Sequence, residues 1–186
     1  MKVEVSLKNQ FLLAMPGLTG TYFGNSATYL CEHNEDGAMG IMVNRPTDVS
    51  LVELLSQLGI RSGSTPIEVP ILEGGPVHPD RGFILHTDDQ HFESSLDLEN
   101  GLMLTTAREV LEAIADAKGP EHYLVALGYA GWQGGQLEAE LMENAWLTCP
   151  ADQEVLFHTP YAERVSKAAA SLGIDFSLMS GHAGHA

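Results

Sequence analysis

The sequence predicts an α+β fold: a mixed, largely antiparallel sheet, strongly curled or barrel-like, with a few helices packed on it. Three observations carry this expectation. Short apolar segments bounded by turn residues outnumber segments of helical spacing by about eight to four. Two of those strands are joined by Asn34-Glu35-Asp36-Gly37, a hairpin loop that makes them antiparallel. Strands also follow one another without an intervening helix, which a regular βαβ alternation does not allow.

In chain order, the first strand is the apolar run 11–15, closed by Pro16. Strands 28–33 and 39–44 flank the hairpin loop. Ser50 and Glu53 form a capping box ahead of Leu51, Leu54, Leu55 and Leu58, whose spacing gives a helix with one buried face, and Gly59 is a natural stop. Strand 69–73 runs into a loop dense in glycine and proline, and strands 83–86 and 102–105 follow. Thr106 with Glu109 opens a second helix carrying Val110, Leu111 and Ile114 and ending at Gly119-Pro120. Strand 123–129 leads through a glycine-rich turn to a weaker helix at 136–143, and strand 145–149 follows it. The last helix starts at Thr159 with Pro160 in its first turn, buries Tyr161, Val165, Ala168 and Leu172, and stops at Gly173.

With 186 residues and 44% hydrophobic content, the chain closes one sizeable core, so residues 1–186 are read as a single domain. Twenty-five acidic residues against 9 Lys plus Arg give a formal charge of −16, and the cations are scattered. Such a surface repels phosphate backbones, so direct nucleic-acid binding is disfavoured. The first residues lack the apolar core of a signal peptide, and the run 11–15 is too short to cross a bilayer, which predicts a cytoplasmic protein with no membrane contact. In that reducing compartment Cys31 and Cys149 are expected as free thiols.

Four segments could carry chemistry. Cys31 and His33 lie two apart, on one face of a regular strand, but about 6.5 to 7 Å separates such side chains, too far for a direct hydrogen bond without a bulge. A buried thiol beside a strand-end histidine is the plainer reading. In the loop 74–82, Arg81 is the single fixed cation and could bind a carboxylate or phosphate, with His78 and Asp80 orienting it; the alternative is an ion pair with an acid such as Glu73. The segment 128–135 has the order of a phosphate-binding turn but no phosphate-loop motif, and acids follow it at once, so a packing turn around Trp132 is expected. His86, His91, His182 and His185 follow no ligand spacing, and no metal or other cofactor is expected. Ser26 stands in no nucleophile-elbow motif, so hydrolase chemistry is unsupported.

Several of these segments together resemble the AlgH/YqgE family of bacterial proteins. They are 10–16, 29–34 with Gly37-Ala38-Met39-Gly40, Asn44-Arg45-Pro46, Gly74-Gly75-Pro76-Val77 with Arg81-Gly82, Tyr129-Ala130-Gly131-Trp132 with 135–138, 144–147, and Leu156-Phe157 before Thr159-Pro160. The resemblance covers nearly the whole chain. It implies an α+β fold with the sheet curled into a pseudo-barrel, and a largely uncharacterised group, one branch of which has been linked to control of alginate production and labelled a transcriptional regulator. Gly20-Thr21 stands where the family usually has Asp-Pro, and His158 where an Asp is common, so no role of those acids carries over.

The family brings no catalytic set. Its motif residues Asn34, Asn44, Arg45, Arg81 and Trp132 gather in turns, and isolated arginines are not needed for backbone geometry, so these are the binding candidates. The leading expectation is a noncatalytic regulatory or binding protein acting through a protein partner or a small anionic ligand. The alternative is a thiol-based enzyme or redox sensor using Cys31 with His33, and direct regulation through DNA is least favoured.

Overall fold

A computed structural model describes residues 5–63 and 69–176. The elements in order are β1 (Gln10–Ala14), β2 (Ala27–Asn34), β3 (Gly37–Met42), β4 (Pro46–Ser50), α1 (Leu51–Gln57), β5 (Pro70–Glu73), β6 (Val77–Thr87), β7 (Ser95–Asp97), β8 (Leu102–Thr105), α2 (Arg108–Ala115), β9 (Tyr123–Gln133), α3 (Gln136–Met142), β10 (Trp146–Pro150), α4 (Gln153–Phe157) and α5 (Arg164–Ala170). The fold is α+β, with a sheet ordered β10-β1-β2-β3-β9-β6-β8-β7 that curls into a half-barrel. Its one parallel pairing among the described strands is β5 with β9, and β4 pairs with β5 off the main path.

Strand alternation distributes the apolar side chains between two faces. Phe11, Leu13, Tyr29, Ile41, Phe83, Leu85 and Leu104 fill the concave side, closed by Val155, Leu156, Ala168 and Ala169 of α4 and α5. On the convex side α1 and α2 cover Ile71, Ile84 and Val125, and α3 covers Leu12, Leu30, Ala130 and Trp132. Ser50 caps α1 as its sequence requires, its hydroxyl accepting the Glu53 N–H at 3.2 Å. The hairpin also forms as expected: Asn34 opposes Gly37, and the Asn34 side-chain oxygen accepts the Asp36 N–H at 2.8 Å.

Other expectations need correction. The helix after β8 starts at Arg108 behind Ala107, with no side-chain cap, so Thr106 does not build a capping box. The last helix does not start at Thr159. That hydroxyl donates to the Glu154 carbonyl at 3.1 Å and closes α4, a 3-10 turn spans Tyr161–Glu163, and α5 follows, leaving Leu172 42% exposed. The segment 128–133 is strand rather than turn, because β9 runs on to Gln133 and only Gly134-Gly135 turn the chain into α3. The loop carrying Arg81 is likewise part of β6, as a bulge in which residues 78–81 oppose Gly128 alone, between the pairs Val77–Tyr129 and Gly82–Leu127. Strands β4 and β7 and helix α4 are further short elements that the sequence reading does not include, although Asp152, whose side chain accepts the Glu154 N–H at 2.9 Å, is a helix-capping residue ahead of α4.

One crossing positions everything that follows. After β5 the chain passes between β3 and β9: the Gly74 carbonyl accepts the Met42 N–H and the Gly74 N–H donates to the Leu127 carbonyl, both at 2.8 Å. Gly75 then lies against the Tyr129 backbone before β6 begins.

Candidate functional site

The crossing and the β6 bulge leave an open groove of about 940 Å³ where the concave core meets solvent. One wall carries Met39 and Gly131, the other Phe83, Leu104 and Leu96, with Val77 and Tyr129 between them. Met39, Phe83, Leu104 and Tyr129 belong to or pack against the main core, whereas Ala38 and Trp132, also at the groove, pack in the cluster under α3. Glu32 and Asp36 bring negative charge to one end. Arg81 is the one Lys or Arg among the lining residues.

The bulge exposes Arg81 and lays its guanidinium 5.5 Å from the centre of the Phe83 ring. Among the described residues no carboxylate lies within ion-pair distance of it. The expected alternative, pairing with Glu73, does not occur; the Glu73 carboxylate instead accepts the Tyr22 hydroxyl at 2.7 Å. His78, also in the bulge, has φ +45° and packs its ring 6.0 Å from that of Tyr129.

The other binding candidates divide. Asn34 and Trp132 border the groove. Asn34 is engaged in its turn. Trp132 is 6% exposed, with its ring stacked 6.2 Å from Phe23 and edge-on to Trp146. Its indole N–H and that of Trp146 both donate to Glu140 Oε1, at 3.2 and 3.0 Å. Trp132 is thus chiefly a core residue. Arg45 and Asn44 do not line the groove: Arg45 donates to the Gly24 carbonyl at 2.7 Å and lies over Tyr22, while Asn44 accepts the Ala27 N–H and donates to the Asn25 carbonyl. The two arginines therefore do not share this surface.

Cys31 and His33 are separated by a register shift between Leu30 and Glu32. The bulge turns Cys31 into the concave core, while His33 accepts the Leu7 N–H at Nδ1, 2.9 Å, and meets the Glu138 carboxylate of α3 through Nε2. Since Nδ1 accepts, Nε2 carries the proton and donates, and that bond holds the Glu138 carboxyl below its usual range. Cys31 is fully buried with its thiol 3.9 Å from the Tyr29 carbonyl, and burial pushes its pKa up, with the Glu32 charge adding to it. Cys31 and His33 therefore do not form the thiol–imidazole pair that a thiol enzyme using these two residues requires. Iodoacetamide at about neutral pH is expected to leave Cys31 unmodified in the native protein and to alkylate it in urea; fast native alkylation, read by mass spectrometry, is the contrary result. Cys149 is also buried and free, its thiol pushed up to about 11 by burial.

Nothing in the sequence singled out Phe83 or Leu104, and Met39 and Tyr129 stood out only within the family segments, because a strand residue facing an opening has the same pattern as one facing a core. Among the described residues no group of three or more His, Cys, Asp or Glu is placed to hold a metal ion. His182 and His185 lie outside the described residues. No helix among the described residues is long and apolar enough to cross a membrane.

A family model described as AlgH-like (DUF179) matches residues 11–177. A UPF0301 protein of Thioalkalivibrio sulfidiphilus is 52% identical over 186 residues, spanning 100% of both chains, and one of Pseudomonas entomophila is 50% identical over 182 residues, 97% of this chain and 96% of that one. The solution structure of the AlgH protein from Pseudomonas aeruginosa superposes with a TM-score of 0.79 at 48% identity, covering 100% of this chain and 99% of that one. A Corynebacterium diphtheriae protein shares the fold at 18% identity, with a TM-score of 0.75 over 97% of this chain and 94% of that one. The segments 29–34 with 37–40, 74–77 with 81–82, and 129–132, on which the resemblance partly rests, all contribute to the groove.

Proposed function

Because this chain belongs to the AlgH-like family, which brings no catalytic set with it, we propose a function from its own groove: a noncatalytic binding protein of regulatory type that holds an anionic group carried on an apolar body. The supporting observation is Arg81, an exposed guanidinium braced on Phe83 and unpaired by any described acid, in a groove lined by the apolar side chains of Tyr129, Leu104 and Met39. Magnitudes select the ligand class. An exposed ion pair contributes about 0–1 kcal/mol, so a bare phosphate gains little here, whereas burial of apolar area at about 25 cal/mol per Å² supplies the larger part. Arg81 then sets orientation and sign. The thiol reading lacks comparable support, since Cys31 is buried away from His33. A net charge of −16 disfavours a nucleic-acid ligand.

The probe 8-anilinonaphthalene-1-sulfonate has the required chemistry. It is expected to bind saturably in fluorescence titrations, with Arg81→Glu weakening it roughly tenfold, about 1.4 kcal/mol, and Arg45→Glu leaving it unchanged. Equal affinity in wild type and Arg81→Glu, with native circular dichroism in both, would sink the reading.

A further inference from the structure

The groove also contains a strand edge that no described strand pairs with. Strand β9 has β5 and then β3 along one flank, at 126–127 and 130–133, and β6 along the other, which ends at the Val77–Tyr129 pair. Past Tyr129 no described strand pairs with β9 on the β6 flank. Gly131 and Gln133 are exposed and line the groove, whereas Ala130 and Trp132 face the core.

Backbone direction follows from two contacts. The Gln133 N–H donates to the Gln136 side chain at 2.9 Å rather than to β3, and the Trp132 carbonyl is the atom that a Cβ on Gly37 of β3 would strike, at 2.2 Å. In a strand, successive residues present their N–H and C=O to opposite flanks. Trp132 therefore addresses β3, and Gly131 aims both backbone groups at the open flank. On the groove face, a Cβ at Gly131 would meet only the Tyr129 and Val77 side chains, at 3.5 and 3.9 Å.

We propose that an extended peptide ending in a carboxylate adds to the open flank of β9, antiparallel to it, with its carboxylate on Arg81. The inference rests on the groove being the binding site. Charge chooses the direction. A strand continuing the line of β6 runs antiparallel to β9 and brings its C-terminal end towards the bulge that carries Arg81. Its N-terminal end lies towards Asp36, in the turn before Gly37, which pairs with Gln133. A parallel peptide would set its ammonium against the Arg81 guanidinium. From Gln133 to Tyr129 the edge is about 13 Å long at roughly 3.3 Å per residue, room for about four residues. Peptide side chains of one parity face the wall of Phe83 and Leu104, and backbone hydrogen bonds supply affinity that is independent of sequence.

Positional-scanning tetrapeptide mixtures with free carboxyl termini, matched carboxamide mixtures, and a backbone N-methylated series test this by amide shifts in the ¹⁵N-labelled protein. The acid mixtures are expected to move the Gly131 and Gln133 amides and to bind at least tenfold more tightly than the amides. Arg81→Glu should abolish that preference, N-methylation should weaken binding at least tenfold, and mixtures with Lys or Arg first should bind best. If no acid mixture moves Gly131 at millimolar concentration while 8-anilinonaphthalene-1-sulfonate still binds through Arg81, the peptide inference falls and the groove reading stands. Loss of both removes both. If Gly131 shifts with protein concentration alone, the edge is occupied by a second copy of this chain, and the peptide inference is likewise overturned.

Discussion

Gly75→Ala is expected to lower the thermal midpoint by roughly 6–12 °C, the equivalent of about 3 kcal/mol for a domain of this size. A Cβ at this position would lie 2.0 Å from the Tyr129 carbonyl carbon, 2.2 Å from its oxygen and 2.4 Å from the Ala130 nitrogen. All three are backbone atoms of a central strand, so no side-chain rotation relieves the clash and the crossing itself must move. Gly128→Ala meets the same obstacle from the other side, its Cβ falling 2.3 Å from the Gly75 carbonyl oxygen at a residue with φ +79°. The two substitutions press on one contact, so together they should cost less than the sum of their separate effects. Because the displaced segment leads into β6, Gly75→Ala should also loosen the groove, seen as weaker binding of the naphthalene sulfonate at temperatures where the protein is still folded. A midpoint within 2 °C of wild type would show that β5 and β9 are not held so closely.

Trp132→Ala is expected to cost about 3–5 kcal/mol, as for large aromatics removed from a core. The ring is 6% exposed, packs on Phe23 and Trp146, and shares Glu140 as an acceptor with Trp146. Trp132→Phe keeps most of the packing and loses the indole hydrogen bond to the Glu140 carboxylate, worth about 1.5–3 kcal/mol. Urea titrations followed by circular dichroism measure both without relying on the lost fluorophore. The outcome separates two roles: a packing residue destabilises on truncation and leaves ligand affinity of the folded fraction intact, whereas a ligand residue does the reverse. Retained stability in Trp132→Ala with loss of naphthalene sulfonate binding would return Trp132 to the binding set.

Local signals were legible wherever the physics is local. The N-cap at Ser50, the Asn34 turn and the stop at Gly173 depend on residues within a few positions of one another, and all three form, although the return bond of a capping box from Glu53 to the Ser50 N–H does not. The α+β class followed from strand and helix spacing, and the sheet has that composition. What failed depended on partners remote in sequence. Thr106 has the right neighbour in Glu109, yet the strand pairing that ends at Thr105 sets where α2 can begin. Gly131 and Gly134-Gly135 read alike as turn residues, but β3 lies beside the first and holds it in a strand. Among the site candidates, Arg81 was identifiable as an isolated cation among glycines, while only the folded chain showed that Glu73 bonds to Tyr22, 51 residues away, and not to Arg81.

The sequence by itself determined the family, the fold class, the helix caps and hairpin turn just named, and the charge that disfavours a nucleic-acid ligand, because each rests on residue identity and short-range spacing. Only the tertiary structure decided that a bulge sends Cys31 and His33 to different faces, that Arg81 reaches the groove without Arg45, and that β6 stops short of the end of β9. These outcomes turn on register between strands remote in the chain. A shift of one residue reverses the face of every side chain beyond it, and no local pattern records where such a shift falls.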